Sequence, residues 1–443
     1  MNYSTREPKE SAARNYAFNT SRTSMDSSRE FEIILWGATG FTGSLVAKHL
    51  QTTYGATLNW AMAGRNLAKL EAVKAELGNP DIPLLQADSH DQAAMEALAA
   101  RTKVVCTTVG PYALYGTPLL EACAKHGTHY CDLTGEVQWM GQTIKQFQAT
   151  AEASGARIVH TCGFDSIPSD LGVFYAQSVM RERFGIYAQE VNARVGRFSG
   201  GASGGTIASM MVMMEQMSKD KSIQEELENP YSLNPEGEQS GPDGLDINEA
   251  VFDDNFQQWT GPFFMAAVNA RVVRRSNALA TYPYGKTFRY DERQLTGSDK
   301  KAQRKAKNIA MGSKLTPSIM GSGWVRKLAG RFLPKPGEGP TPEEQLNGHF
   351  EMFFYAQSDD GKQSLKTRVS GDRDPGYGGT SRMLGEAAVC LARDDLSCGG
   401  GIWTPASAMA AFVIRTFFFI LFGYLLETAD LINLQTLLWA GIV

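Results

Sequence analysis

Residues 32–43 read EIILWGATGFTG. Four apolar residues, Ile33, Ile34, Leu35 and Trp36, run into glycines 37, 40 and 43, and a helix-spaced apolar set (Leu45, Val46, Leu50) follows at once. A short apolar run bounded by turn residues is the pattern of a buried strand. Glycines that open directly onto a helix are the pattern of an anion loop, because unpaired helix N–H groups and the positive end of the helix dipole attract phosphate. Gly37 then supplies the tight turn, Gly40 the close approach of backbone to a pyrophosphate, and Gly43 the close packing of helix on strand. The spacing is GxxGxxG instead of GxGxxG, so the loop alone does not separate a plain tight turn from a phosphate cradle.

What surrounds the loop does separate them. From residue 31 to about 165, strands are expected at 31–36, 58–63, 82–86, 103–108, 128–132 and 156–161, with helices near 41–53, 66–77, 90–100, 115–126 and 138–154. Parallel strands need helical crossovers, so this alternation implies a doubly wound parallel sheet with the glycine loop after its first strand. A helix over 167–184 leaves that unit. Strand-like runs at 188–198, 263–275, 349–356 and 363–370, with an apolar helix at about 206–219, then imply a second α+β domain on a mostly antiparallel sheet. Stretches 220–250 and 334–344 are rich in Pro and Gly and read as loops. The expected division is a disordered tail at 1–30, a nucleotide-binding domain at 31–166 and a substrate or dimerisation domain at 167–370. A return segment at 371–410 packs on the first domain, and an apolar helical segment follows at 411–443.

With 43 Lys plus Arg against 47 Asp plus Glu, the net charge of −4 gives no broad argument for nucleic-acid binding. Six cysteines without a CxxC pair read as reduced thiols in a cytoplasmic setting. The N-terminal 30 residues hold no apolar run, so they are not a signal peptide. Residues 406–426 carry Arg415 as their only charge. A spanning helix needs ~20 apolar residues, and a central arginine is costly in lipid. Three places stay open for this segment: packed on the protein or in a homodimer interface, laid peripherally on a membrane or lipid droplet, or spanning.

Cofactor choice follows from the tip of the second strand. An acid there binds a ribose 2′-hydroxyl, whereas a basic residue suits a 2′-phosphate. Here the strand ends in Gly64, Arg65 and Asn66, and Arg65 can grip a phosphate with its fork of donors. The cofactor expected is NADP(H), held by Gly37, Thr39, Gly40, Phe41, Thr42, Gly43 and Arg65, with Asp88 at the adenine edge or capping a helix. Gly110 and Pro111 of VGPYALYG follow the fourth strand, where the nicotinamide half crosses the sheet edge. Tyr112 or Tyr115 in the same loop is the candidate proton donor, against the alternative that both only pack. Strands five and six end in CDLTGE and CGFDSIPSDLG, which set Asp132, Glu136, Asp165, Ser166 and Asp170 at the ligand-binding edge of the sheet, some of them as caps. Asp165 and Ser166 are the substrate-pocket candidates there. Met210 and Met214, in a methionine-rich helix, are candidates for an apolar wall, the alternative being a plain core helix. No metal site is expected, since His126, His129 and Cys131 lack ligand spacing. Tyr282 and Lys286 have the four-residue spacing of short-chain dehydrogenases, but Pro283 and Gly285 forbid a regular helix between them.

Together GATGFTG, AGRN, VGPYALYG, CDLTGE, CGFDSIPSDLG, SGGT, GDRDPGYGGTSRML and TPASAM, spread over roughly residues 31–410, resemble the saccharopine dehydrogenase-like oxidoreductases, and most of all their trans-acting enoyl reductase branch. The resemblance implies a Rossmann-type domain, NADP(H) and a lipid-linked or acyl substrate, with reduction of an enoyl double bond in a lipid, polyketide or glycolipid precursor. It supplies no catalytic side chain at a matching position. Two alternatives stay open: an amino-acid or imine dehydrogenase of the saccharopine type, and a non-catalytic NADP-bound protein on membranes or lipid droplets.

Overall fold

The apolar run and the crossovers build a seven-stranded, all-parallel sheet in the order β13-β6-β5-β4-β1-β2-β3. The computed structural model describes residues 29–199, 204–246, 248–320, 339–410 and 424–428. The chain starts with β1 (Phe31–Trp36), α1 (Phe41–Tyr54), β2 (Trp60–Gly64), α2 (Leu67–Glu76), β3 (Leu84–Gln86), α3 (Gln92–Ala99) and β4 (Thr102–Thr107). It goes on through α4 (Tyr112–Tyr115), α5 (Thr117–His126), β5 (His129–Cys131), α6 (Val137–Ser154), β6 (Arg157–Val159) and α7 (Ile167–Phe184). Ile33 and Leu35 pack on one face of the sheet and Ile34 and Trp36 on the other, all buried, because helices cover both faces. The order reverses between β1 and β4, and the glycine loop lies at that switch point.

The second sheet runs β14-β12-β11-β7-β10-β9-β8. Its elements are β7 (Glu190–Ser199), α8 (Gly204–Lys219), α9 (Lys221–Glu228), β8 (Val251–Asp253), β9 (Gln258–Pro262), α10 (Ala266–Leu279), β10 (Arg289–Gly297) and α11 (Lys300–Met320). After α12 (Pro342–Asn347) come β11 (His349–Gln357), β12 (Ser364–Gly371), α13 (Thr380–Arg393), β13 (Gly401–Trp403) and β14 (Tyr424–Thr428). Only the β7–β10 pair is parallel; the others are antiparallel. Phe350, Met352 and Phe354 of β11 face inward and are buried. A Cβ on Gly172 of α7 would run into the Phe354 ring, so this glycine sets how closely α7 approaches the sheet.

Several expectations need correction. The run 263–275 is helix α10, not a strand. Arg271, Arg274 and Arg275 recur at the three- and four-residue spacing of one helix face, and all three are buried. They bond the carbonyls of Leu227, Asn229, Pro230 and Leu233, and so hold in place the stretch read as loop. That stretch opens with α9. Strands β8, β9 and β10 carried no clear period-two signal and were not expected. The parallel sheet gains a seventh strand, β13, from the far end of the chain. Arg29 and Glu30, counted with the tail, are tied down: Arg29 donates to the carbonyls of Ala99, Ala100 and His126, and Glu30 pairs with Arg101. Within the apolar C-terminal segment, read as helical, Tyr424–Thr428 pairs with β12 as a strand. The rest of 411–443, like residues 1–28, lies outside the described residues. No helix of the described residues is long and apolar enough to cross a membrane.

Candidate active site

Two regions at the carboxyl edge of the parallel sheet carry the chemistry. At the first, Gly37 ends β1 with φ +92°, a conformation that side chains disfavour. A Cβ there would also press on Val109 and Thr108. Gly43 packs so tightly that a Cβ would penetrate the Gly37 carbonyl oxygen and lie 2.8 Å from Thr108 Oγ1. Gly40 differs: it is exposed, and a Cβ would meet only the Gly37 oxygen, at 3.4 Å. Thus Gly37 and Gly43 shape the turn, and Gly40 leaves uncrowded space at the N-terminus of α1, its own N–H being bonded to the Gly37 oxygen. Thr39 and Thr42 are half-buried beside it. Phe41, expected to touch the cofactor, turns its ring edge-on to Tyr377 at 5.1 Å and packs on Gly339, so it is a wall of the loop. Arg65 is exposed at the tip of β2, with no ion pair among the described residues. The helix behind it is capped by Asn66, whose side chain accepts the Lys69 N–H. Asp88 accepts the His90 N–H in a local turn, and Asp91 is the actual cap of α3.

In the second region, the loop after β4 meets the carboxyl ends of β5 and β6. Val109 and Gly110 are half-buried and Pro111 is buried. Tyr112 is buried: its hydroxyl donates to Thr107 O at 3.2 Å and accepts Leu133 N–H at 3.4 Å, and its ring stacks on Trp139. Burial and the nearby Asp132 charge push this phenol well above its usual value. Glu136 accepts the N–H groups of Tyr112 at 2.8 Å and Ala113 at 2.9 Å, and the Ser209 hydroxyl of α8 also donates to it. Asp132 is sealed in: its Oδ2 accepts from Tyr130 and faces His160 Nδ1 at 2.8 Å, while Oδ1 accepts from Thr134 and Thr161. This Asp–His pair has the look of a catalytic dyad, yet both side chains are buried and bonded within the core, where they fix the two strand ends.

Asp165 is the carboxyl that stays open. It is half-buried, and a Cβ on Gly135 would lie 3.9 Å from its Oδ1 and 3.7 Å from Met265 Cε. Burial pushes its carboxyl up to about 7, and the Asp132 charge adds to the rise. Above it runs α8. From Ala208 to Met217 no side chain of that helix is buried; Met210 is exposed and Met214 half-buried. Ser209 lies against Gly110, and Gln216 accepts from Gln138.

Residues 33–159 match the family described as the saccharopine dehydrogenase NADP binding domain. A relative from Mycobacterium tuberculosis is 40% identical over 398 residues, covering 86% of this chain and 94% of its own. A trans-acting enoyl reductase of Mycobacterium ulcerans is 38% identical over 402 residues with the same coverage. The chain belongs to the saccharopine dehydrogenase-like oxidoreductases, on their trans-acting enoyl reductase branch. Among solved structures, the apo saccharopine dehydrogenase of Saccharomyces cerevisiae aligns over 90% of this chain and all of its own at 11% identity and a TM-score of 0.49, too slight a likeness to carry an argument.

As a saccharopine dehydrogenase-like oxidoreductase, the chain is NADP(H)-dependent. The first region fits that cofactor: uncrowded space at Gly40 beside the N-terminus of α1 for the pyrophosphate, and an exposed guanidinium at Arg65 for the 2′-phosphate. The second region revises the chemistry expected there. The Tyr112 hydroxyl is engaged with Thr107 O and the Leu133 N–H and anchors the loop, so it is not presented as the free donor expected from sequence. Tyr115 is half-buried with its ring edge-on to His90. Ser166 is fully buried and donates to Asn269, which donates to Glu292, so it ties α7 to α10. Met210 and Met214 do lie on an open helix, contrary to the core-helix alternative. Glu136 was expected only as one of several carboxylates at the ligand-binding edge, and His160 was not expected at all. Glu136 had a signal in CDLTGE, but its role as cap of α4 depends on a fold contact 24 residues back.

Proposed function

We propose that this oxidoreductase reduces the carbon–carbon double bond of an enoyl group on a lipid, polyketide or glycolipid precursor. The observation that carries the reading is Asp165: a half-buried carboxyl beside Gly135 and Met265 whose burial raises its affinity for a proton, at the same sheet edge that α8 and its open methionines approach at Gly110 and Glu136. NADPH, held by the glycine loop and Arg65, would supply the hydride. Asp165 in its acid form gives a proton to one alkene carbon and recovers one from solvent. A carboxyl titrating at about 7 is well matched to that task near neutral pH. Met210, Met214 and Met265 adapt to a flexible acyl chain. The name of the mycobacterial relatives supports the same reading. Against an amino-dicarboxylate substrate stand the arginines of α10, which are bonded to loop carbonyls and acidic partners and so offer no clamp.

Deleting the gene and profiling lipids by mass spectrometry tests the substrate class: a lipid lacking two hydrogens should accumulate. An unchanged lipid profile with altered lysine metabolites would refute it. With a matched enoyl substrate, Asp165→Asn should lower kcat by about a hundredfold or more. Wild-type kcat should be level below pH 7 and fall above it, because the protonated carboxyl is the active form. A variant with unchanged kcat and the same pH limb would remove Asp165 from the chemistry.

A further inference from the structure

Helix α11 departs from the charge balance of the rest of the chain. The protein as a whole has net charge −4, yet Lys300, Lys301, Arg304, Lys305, Lys307 and Lys314 lie on this helix with no Asp or Glu between 300 and 320. Asp299 accepts the Ala302 N–H at 2.7 Å at its start. The inner side is narrow and made of small residues: Ala302, Ala306 and Ala310 are buried, and Gly261 of β9 lies against Ala306 and Ile309. At ~100° per residue, Arg304, Met311 and Leu315 fall on the line opposite Ala306. Met311 is 58% and Leu315 48% exposed. Lys301 and Lys305 flank that line on one side, and Lys300, Lys307 and Lys314 on the other. Among the described residues, Lys314 pairs with Glu249 at 3.4 Å, and the other five cations have no ion pair.

We propose that α11 is a docking surface for an anionic lipid membrane: Met311 and Leu315 enter the headgroup boundary while Lys301, Arg304 and Lys307 face lipid phosphates. An outward apolar line flanked by Lys and Arg is the pattern of a helix lying in a bilayer interface. A protein partner fits less well, because protein interfaces deplete lysine at their centres and the outer face of α11 forms no groove. The proposal is independent of the substrate reading and does not use the C-terminal segment.

The test is co-sedimentation of the purified full chain with vesicles. Wild type should pellet with 3:1 phosphatidylcholine:phosphatidylglycerol in low salt, stay in solution with phosphatidylcholine alone, and be released by 0.5 M salt (roughly a fewfold shorter screening length than at low salt). Lys301→Glu/Arg304→Glu/Lys307→Glu should weaken binding on the order of a hundredfold. Met311→Ser/Leu315→Ser should weaken it about tenfold or more. Both variants change exposed side chains and should keep wild-type NADPH affinity, which controls for folding. Wild type that ignores the anionic vesicles overturns the proposal. So does a triple variant that binds them as wild type does, or retention on an immobilised acidic protein in place of vesicles through the same three residues.

Discussion

Substituting alanine at two glycines of one loop separates the part of the loop that folds from the part that binds. At Gly43 a new Cβ would invade the Gly37 carbonyl and approach Thr108 Oγ1 to 2.8 Å, with backbone rather than a flexible side chain in the way. Helix α1 must then shift away from the end of β1, where Val46, Ala47 and Leu50 are fully buried. Overpacking of this kind costs about 1–3 kcal/mol. Because the loop moves with the helix, NADPH affinity should fall as well. At Gly40 a Cβ meets one atom at 3.4 Å, and φ −79° suits any residue. Loss of a glycine at a helix N-cap costs about 0.5–1 kcal/mol, so Gly40→Ala should fold nearly as wild type while its methyl obstructs the pyrophosphate. Urea unfolding with NADPH fluorescence titration reads both terms. Gly43→Ala should lose stability and affinity together, and Gly40→Ala chiefly affinity. Equal stability losses in the two variants, or a Gly43→Ala protein of wild-type stability, would refute the assignment of roles.

Arg65→Ala should lower NADPH affinity by about tenfold or more and leave NADH affinity nearly unchanged, which paired titrations would show. Asp170 is buried between Ser276 and the Ala406 N–H, and burial pushes its carboxyl up to about 7. Its folded value lies above its unfolded one, so the stability it contributes is full below pH ~4 and is lost as pH rises to about 7; the range is at most on the order of 4 kcal/mol. In Asp170→Asn that part of the slope should disappear from a series of urea midpoints, and an unchanged slope would exclude Asp170 as its source. Asp374 is fully buried and accepts the N–H groups of Gly376, Tyr377 and Gly378. Asp374→Ala should cost about 3 kcal/mol or more by leaving those donors unpaired, and should weaken NADPH binding through the Tyr377–Phe41 contact. Thermal unfolding and the same titration check this.

The parallel sheet was legible because its determinants are local. The run Ile33–Trp36, the glycine turn and the alternation of strand with helix each show in a window of a dozen residues, and helix 167–184 was read to the residue. Arg65 was legible for the same reason, since its place depends only on where β2 stops. The period of the chain failed where polar side chains face inward. Arg271, Arg274 and Arg275 are buried because loop carbonyls from 227–233 receive them, and nothing within residues 263–275 announces those partners. The seventh strand and the pairing of Tyr424–Thr428 join segments too far apart in sequence for any local pattern to register.

Sequence by itself therefore determined the nucleotide fold, the cofactor and the edge of the sheet where ligands gather. Which group at that edge is chemically available was a tertiary decision. Tyr112, Asp132, Ser166 and Asp165 carry equally plausible chemistry as residues in a string. Packing closes the first three by burying them with satisfied hydrogen bonds, and leaves the Asp165 carboxyl half-buried with a raised affinity for its proton. Exposure and desolvation depend on every neighbour at once, and those neighbours come from β5, β6, α8 and α10 together.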